Sequence, residues 1–555
     1  CIHLNKIYYF NFEKLWNFKM SKIIKKISFF ILNLCFVLFF SFCSKKTENN
    51  LDVFRYNEYR NITSLDPAFA RNPQNIWPVN QLFNGLVQLD DSLNIIPDIA
   101  KSWKISANGL NYIFNLRDDV FFHNSEYFEK NKTRKVIASD FTFSLNRLKS
   151  KNLGSPGSWV LQNVKHFEAL NDSTFTLKLK NPFPAFLGIL SMKYCSVVPY
   201  EVVNALGENF SRKPIGTGPY YMKKWNENVK LVLRKNKNYF ENDLNGYKLP
   251  YIESIAIQFI SDIQSEFMLF IQGKLDFINS IDSSYKDELL TPQGNLQPKY
   301  KNKLTMHKGS YLNTEYIGFY LDSKSPVINS KKIREAINIG FDRDLMIRYL
   351  RNNIGNSAQK GIIPKGLKAV SENDFEYNPI KAKNLVNEFI KESGIENPEI
   401  RIATDSNYVD LCEFLQKELE NIGINVKIDI MPTSILRKAK SSGNLEMFRA
   451  SWIADYPDAE NYLSLFYSKN FSPNGPNYTH YKNLTFDSLY EKTFKIKSSE
   501  NRIKLYKKMD SIMINDYPIV PLYFDEAIRF SNKNLKDFNI NALNLLNLKR
   551  VRKIN

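Results

Sequence analysis

Alternation of apolar and polar side chains is clearest in four short runs. They are Tyr112-Ile113-Phe114-Asn115-Leu116, Phe175-Thr176-Leu177-Lys178-Leu179, Lys230-Leu231-Val232-Leu233-Arg234 and Ile255-Ala256-Ile257-Gln258-Phe259. A period of two gathers one row of each run on a single face, so each predicts a strand. Further along, the spacing becomes helical. Asn378-Pro379 supplies an N-cap and a proline at the first helical position, and Ala382, Leu385, Val386 and Phe389 share a face. Gly394 stands where a C′ residue belongs. A strand from Glu399 to Ala403, a helix from Val409 to Asn421 and a strand from Asn425 to Met431 come next. Strand, crossover helix, strand reads as a right-handed βαβ unit in a partly parallel sheet. The pattern is α/β, and 555 residues are too many for one ordinary domain.

The amino end has a different pattern. From Met20, the cluster Lys22, Lys25 and Lys26 precedes an apolar run from Ile27 to Phe42, after which the chain turns polar at Ser44-Lys45-Lys46. A basic n-region and a run this short predict an export signal rather than a membrane span. Residues 1–19 are read as lying upstream of a start at Met20. Phe40-Ser41-Phe42-Cys43 is similar to a bacterial lipobox, with Cys43 as the acylated residue, although Phe42 stands where a small residue is usual. An uncleaved anchor with a buried cysteine is the competing reading. Either way the remainder is expected outside the cytoplasm, in the periplasm or cell envelope. A diacyl group would supply the two chains that durable anchoring needs.

Composition narrows the classes further. Hydrophobic residues make up 43% and charged residues 24%, which fits a folded chain. The net charge of +19 raises nucleic-acid binding as a possibility, but the basic residues are dispersed and form no zinc-finger, RNP or basic-zipper motif. No nucleic-acid partner is expected. Five cysteines without a CxxC, and five histidines without an HxxxH, argue against a metal site or a disulfide framework. Cys195 and Cys412 are expected as two buried thiols.

Catalytic motifs are equally scarce. Gly216-Thr217-Gly218-Pro219-Tyr220 leads into alternating residues rather than a helix, so it reads as a tight structural turn and not a phosphate loop. There is no GxSxG, HExxH or GxxxxGK[ST], and the pairs Asp90-Asp91 and Asp118-Asp119 fall in turns. The most informative segment is Phe448-Arg449-Ala450-Ser451-Trp452-Ile453-Ala454-Asp455-Tyr456-Pro457-Asp458, a short strand running into a turn with two aromatics and two carboxylates. Turns at strand ends are where α/β proteins place ligand groups, and an aromatic beside a carboxylate can hold a cation. Solvated turn acids remain the alternative on these residues alone.

The chain resembles the family 5 bacterial extracellular solute-binding proteins, the peptide-binding subunits of ABC importers. The resemblance runs from Asn57 to Ser531 through pieces in a fixed order. SLDPA (64–68), LFNGLVQLD (82–90), IPDIAKSWKISANGLNYIFNLRDDVFFHN (96–124) and VIASDFTFSLNRL (136–148) come first. GTGPYYMKKW (216–225), RKNKNYF (234–240), IREAINIGFDRDLMI (333–347) and YNPIKAKNLV (377–386) are next. SWIADYPDAENYL (451–463), HYKNLTFDSL (480–489) and PIVPLYF (518–524) complete the set.

The resemblance implies a periplasmic-binding-protein type II clamshell of two main lobes plus an additional domain, hinged by two strands. After a signal segment (1–42) and a lipid-anchored tether (43–50), lobe I would take 50–86, 210–308 and 526–555. The additional domain would take 87–209 and lobe II 309–525. The implied function is capture of peptides in the interlobe cleft and delivery to an ABC permease and its ATPase subunits, by a monomer without cofactor or metal and without enzymatic activity. Relatives binding a nickel chelate, haem, an opine or an oligosaccharide keep a non-peptide solute open, as does a surface receptor without transport. Carried over residue by residue, Asp455 would receive a peptide's α-ammonium, Arg449 a short peptide's carboxylate, and Trp452 would form an apolar wall. A structural ion pair is the competing role for Arg449. A disulfide seen in some relatives would need cysteines near Asn313 and Ile453, and the chain has neither.

Overall fold

The alternating runs fall into separate sheets of a computed structural model that describes residues 52–554, apart from 130–131, 281, 283–284, 372–375 and 497. The Met20 start, the apolar run and Cys43 lie outside the described residues. One four-stranded sheet has the order Val53–Asn57, Ser254–Gln258, Lys230–Lys235, Tyr220–Asn226. Leu231, Leu233, Ile255 and Ile257 are its fully buried row. A second, antiparallel sheet has the order Ala100–Ile105, Asn111–Leu116, Thr174–Leu179, Val164–Asn171. There Tyr112, Phe114 and Leu116 are buried while Ile113 faces out, as a period of two requires.

The βαβ unit belongs to a seven-stranded sheet. The helix Pro379–Ser393 is capped by the Asn378 side chain and ends at Gly394 in the left-handed region (φ 72°). Strands Glu399–Thr404 and Asn425–Ile430 pair in parallel around the helix Val409–Asn421. Cys412 is buried on that helix, and Cys195 is buried elsewhere; both are free thiols. The Gly216–Pro219 segment is a turn held against the chain at Leu82: Gly218 N donates to Leu82 O at 2.9 Å. A Cβ on Gly218 would collide with the backbone of Gln81 and Leu82, so the glycine serves close approach, not phosphate.

Two long strands, Leu304–Phe319 and Ile519–Asn532, run antiparallel through the centre of the seven-stranded sheet. Their register shifts between Ser310 and Thr314. On one side of the shift Leu304, Ile528 and Phe530 pack with Phe267 and Phe270. On the other, Ile317, Phe319, Val520 and Leu522 pack with the helices between Ile333 and Leu419. Both strands therefore cross from one hydrophobic core to another side by side, which is the two-strand hinge of a clamshell. Strand Met447–Ile453 pairs antiparallel with the first of them, and Asn313 lies directly opposite Ile453.

Candidate functional site

The site grows from the end of strand Met447–Ile453. Met447 to Ala450 are buried, and the chain then emerges through Ser451 and Trp452 to an exposed Ile453. Ala454 N donates to Leu312 O at 2.9 Å, tying the turn to the hinge where the register shifts. Asn461, buried in the short helix Glu460–Leu463, braces the turn from the other side. Its Oδ1 accepts from Trp452 Nε1 at 2.8 Å and from Asp455 N at 3.2 Å. Tyr456 turns the other way, into the core. Its hydroxyl donates to Glu460 at 2.5 Å, and the Tyr490 hydroxyl donates to the same carboxyl. Burial pushes the Glu460 carboxyl up to about 7, against both of those hydrogen bonds. Gly188 passes so close that a Cβ there would lie 3.3 Å from the Tyr456 Cβ. With Tyr456 anchored, Asp455 is turned towards open space.

That space consists of two cavities sharing Asp455 and Trp159 in their walls. The first encloses about 670 Å³ and is lined by Arg71, Lys193, Tyr194, Tyr311 and Leu543 among others. The second, about 880 Å³, is walled by aromatics including Phe183, Trp452, Tyr467, Tyr490 and Phe494. Asp455 is exposed to the cavity space, yet the surrounding walls crowd it, and this desolvation raises its carboxyl to about 6. The Asn461 hydrogen bond and the Arg71 charge pull the other way. Asp455 has no ion-pair partner among the described residues.

Of the residues named from sequence, Asp455 and Trp452 meet at these cavities, whereas Arg449 is not among the lining residues. It is buried, its guanidinium pairs with the Glu315 carboxylate and lies 3.2 Å above the Tyr408 ring centroid. Asn313 donates a second hydrogen bond to Glu315 at 3.1 Å. Burial raises the Glu315 carboxyl, and Arg449 opposes the rise. Sequence reasoning did not reach Arg71, Lys193, Tyr194 or Trp159. Each lies far along the chain from Asp455, in a run with no chemical signature. Among the described residues no group of three His, Cys, Asp or Glu is placed to hold a metal ion, and no helix is long and apolar enough to cross a membrane.

Two cores joined by paired hinge strands, with an open cleft and an unpaired carboxylate in it, define a ligand-enclosing binding protein of the clamshell class. The chain belongs to the bacterial extracellular solute-binding proteins, family 5, whose middle region matches residues 94–474. It is a substrate-binding protein of the kind that serves ABC importers, and the family is one of extracytoplasmic transport proteins rather than enzymes. It is 25% identical over 487 residues to the glutathione-binding protein GsiB of Escherichia coli K12, covering 86% of this chain and 90% of that one. Among solved structures it is similar to the periplasmic binding protein DppA of Helicobacter pylori in complex with the peptide STSA. The TM-score is 0.74 at 25% identity, over 90% of this chain and 98% of the other. HbpA2 of Haemophilus parasuis shares the fold at TM-score 0.79 and 22% identity, over 91% and 100%.

Proposed function

We propose that the protein captures short peptides by their free amino terminus in the cleft at Asp455 and delivers them, as a monomer, to an ABC permease. The observation that carries this reading is Asp455 itself: a carboxylate without an ion-pair partner among the described residues, on a turn braced by Asn461 and facing a crowded cavity. A ligand ammonium there would form a charge-assisted hydrogen bond in a water-poor site, where such bonds are strongest. The aromatic cavity walled by Trp452 offers room for apolar side chains. GsiB and the DppA complex support the reading, since glutathione and STSA both carry a free ammonium. The proposed lobe divisions near 309 and 525 draw support from the hinge strands, which change core between Ser310 and Thr314.

Mass spectrometry of ligand released from the purified protein tests the ligand class. Peptides with an unblocked amino terminus are expected, and a sugar, haem or metal chelate as the sole ligand would overturn it. We further propose that a lipid on Cys43 holds the protein at the membrane. Cys43→Ser should leave an unprocessed or released protein that takes up no labelled fatty acid, and continued labelling of that variant would exclude Cys43.

A further inference from the structure

The first cavity is lined by two cations, Arg71 and Lys193, that form no ion pair among the described residues. Arg71 lies two residues before the helix Pro73–Leu82, and Lys193 opens the short turn Lys193–Cys195. Both line the same cavity as Asp455. Neither side chain makes a hydrogen bond or ion pair among the described residues. Arg71 is within electrostatic reach of Asp455 and of Tyr194.

Lys193 also borders a smaller chamber of about 40 Å³, which shares Leu89, Ser191 and Leu545 with the first cavity. The other polar groups around that chamber bond to partners other than Lys193. Lys549 Nζ bonds Glu241 at 2.7 Å and Gln88 at 2.8 Å. Asp98 accepts from Asn84 at 2.8 Å and from Gly85 N at 3.1 Å. Lys193 feels the Asp98 and Glu241 carboxylates through space but bonds to neither among the described residues, and it lines the cavity. Burial lowers its ammonium to about 8, with Asp98 and Glu241 opposing the fall and Lys549 adding to it. It therefore remains largely charged at neutral pH in surroundings that penalise the charge, and a ligand anion would relieve that penalty. Arg449, the other candidate for a carboxylate, is committed to Glu315.

We propose that Lys193 and Arg71 form the carboxylate-receiving wall of the cavity, so that the ligand is a short peptide with its carboxylate free as well as its ammonium. This rests on the reading of Asp455 as the ammonium site, and it adds the opposite end of the ligand. The cavity that holds both cations and Asp455, about 670 Å³, lies within the range of small-ligand sites.

The probe is the tetrapeptide Ser-Thr-Ser-Ala, with its C-terminal carboxamide and its N-acetyl form, measured by calorimetry on the native protein and on Lys193→Met/Arg71→Gln. Amidation should weaken binding to the native protein by ~30-fold or more, the usual loss when one partner of a desolvated charge pair is removed. The double variant should lose as much for the free acid and should scarcely distinguish acid from amide. Equal binding of acid and amide by the native protein overturns the proposal, whatever acetylation does. A loss on amidation without one on acetylation upholds the carboxylate wall and removes the ammonium reading instead. Should the tetrapeptide not bind at all, thermal melts with succinate decide. Stabilisation of the native protein but not of the double variant upholds the wall, and an equal response from both overturns it.

Discussion

Asp455 and Arg449 are six residues apart in one strand-and-turn segment and occupy opposite electrostatic situations. Asp455 holds a charge that its surroundings disfavour. Its carboxyl is raised to about 6, above the ordinary range, so the folded protein keeps a proton that the unfolded chain releases at lower pH. Stability is then lost as pH rises from about 4 through about 6, and the full penalty is present above that. Asp455→Asn should therefore melt higher than the native, ligand-free protein at pH 7.5, with the difference vanishing near pH 4. A variant that melts lower at neutral pH would mean that the carboxylate is stabilised by contacts within the fold. Arg449 is the reverse case. Removing it leaves Glu315 buried with only the Asn313 hydrogen bond, and stranding one member of a buried pair costs about 3–5 kcal/mol. Arg449→Ala should show that loss in denaturant unfolding. An Arg449→Ala protein of native stability and weakened ligand affinity would point to a ligand role instead.

At the scale of elements, much was legible because local signals and tertiary packing agree. The helix from Pro379 has its cap, its proline and its closing glycine in sequence, and the four alternating runs are strands within a residue or so of their expected ends. The turn at Asp455 was legible as a candidate through its aromatics and acids. What could not be read is which wall faces it. Arg71 and Lys193 are brought opposite Asp455 by packing of segments hundreds of residues apart, and no periodicity records such a meeting. The hinge was hidden for a related reason: the register shift at Ser310–Thr314 is a property of strand pairing, and the residues of neither strand mark where it falls. The pairing of Asn313 with Ile453 makes a further element-scale test. Asn313→Cys/Ile453→Cys should oxidise to a crosslink closing a long loop, worth about 2–4 kcal/mol. Its melting temperature should rise on oxidation and fall below native when reduced, because Glu315 loses a donor. Failure to crosslink would contradict the register.

At the scale of the whole molecule, fold and task meet in the cleft. Paired strands connect two cores, the cleft places Asp455 in a crowded cavity, and the proposal is that a ligand enclosed there is presented for transport. Fold alone leaves the solute open. The claim that fixes it is the charge pair between Asp455 and a peptide ammonium. Calorimetry of free and N-acetylated peptide on the native protein and on Asp455→Asn measures that pair directly as a double-mutant cycle. Acetylation and the substitution should each weaken binding by about 30-fold or more, and the two losses should not add, since either one already removes the pair. Native protein that binds free and acetylated peptide equally well would contradict the account.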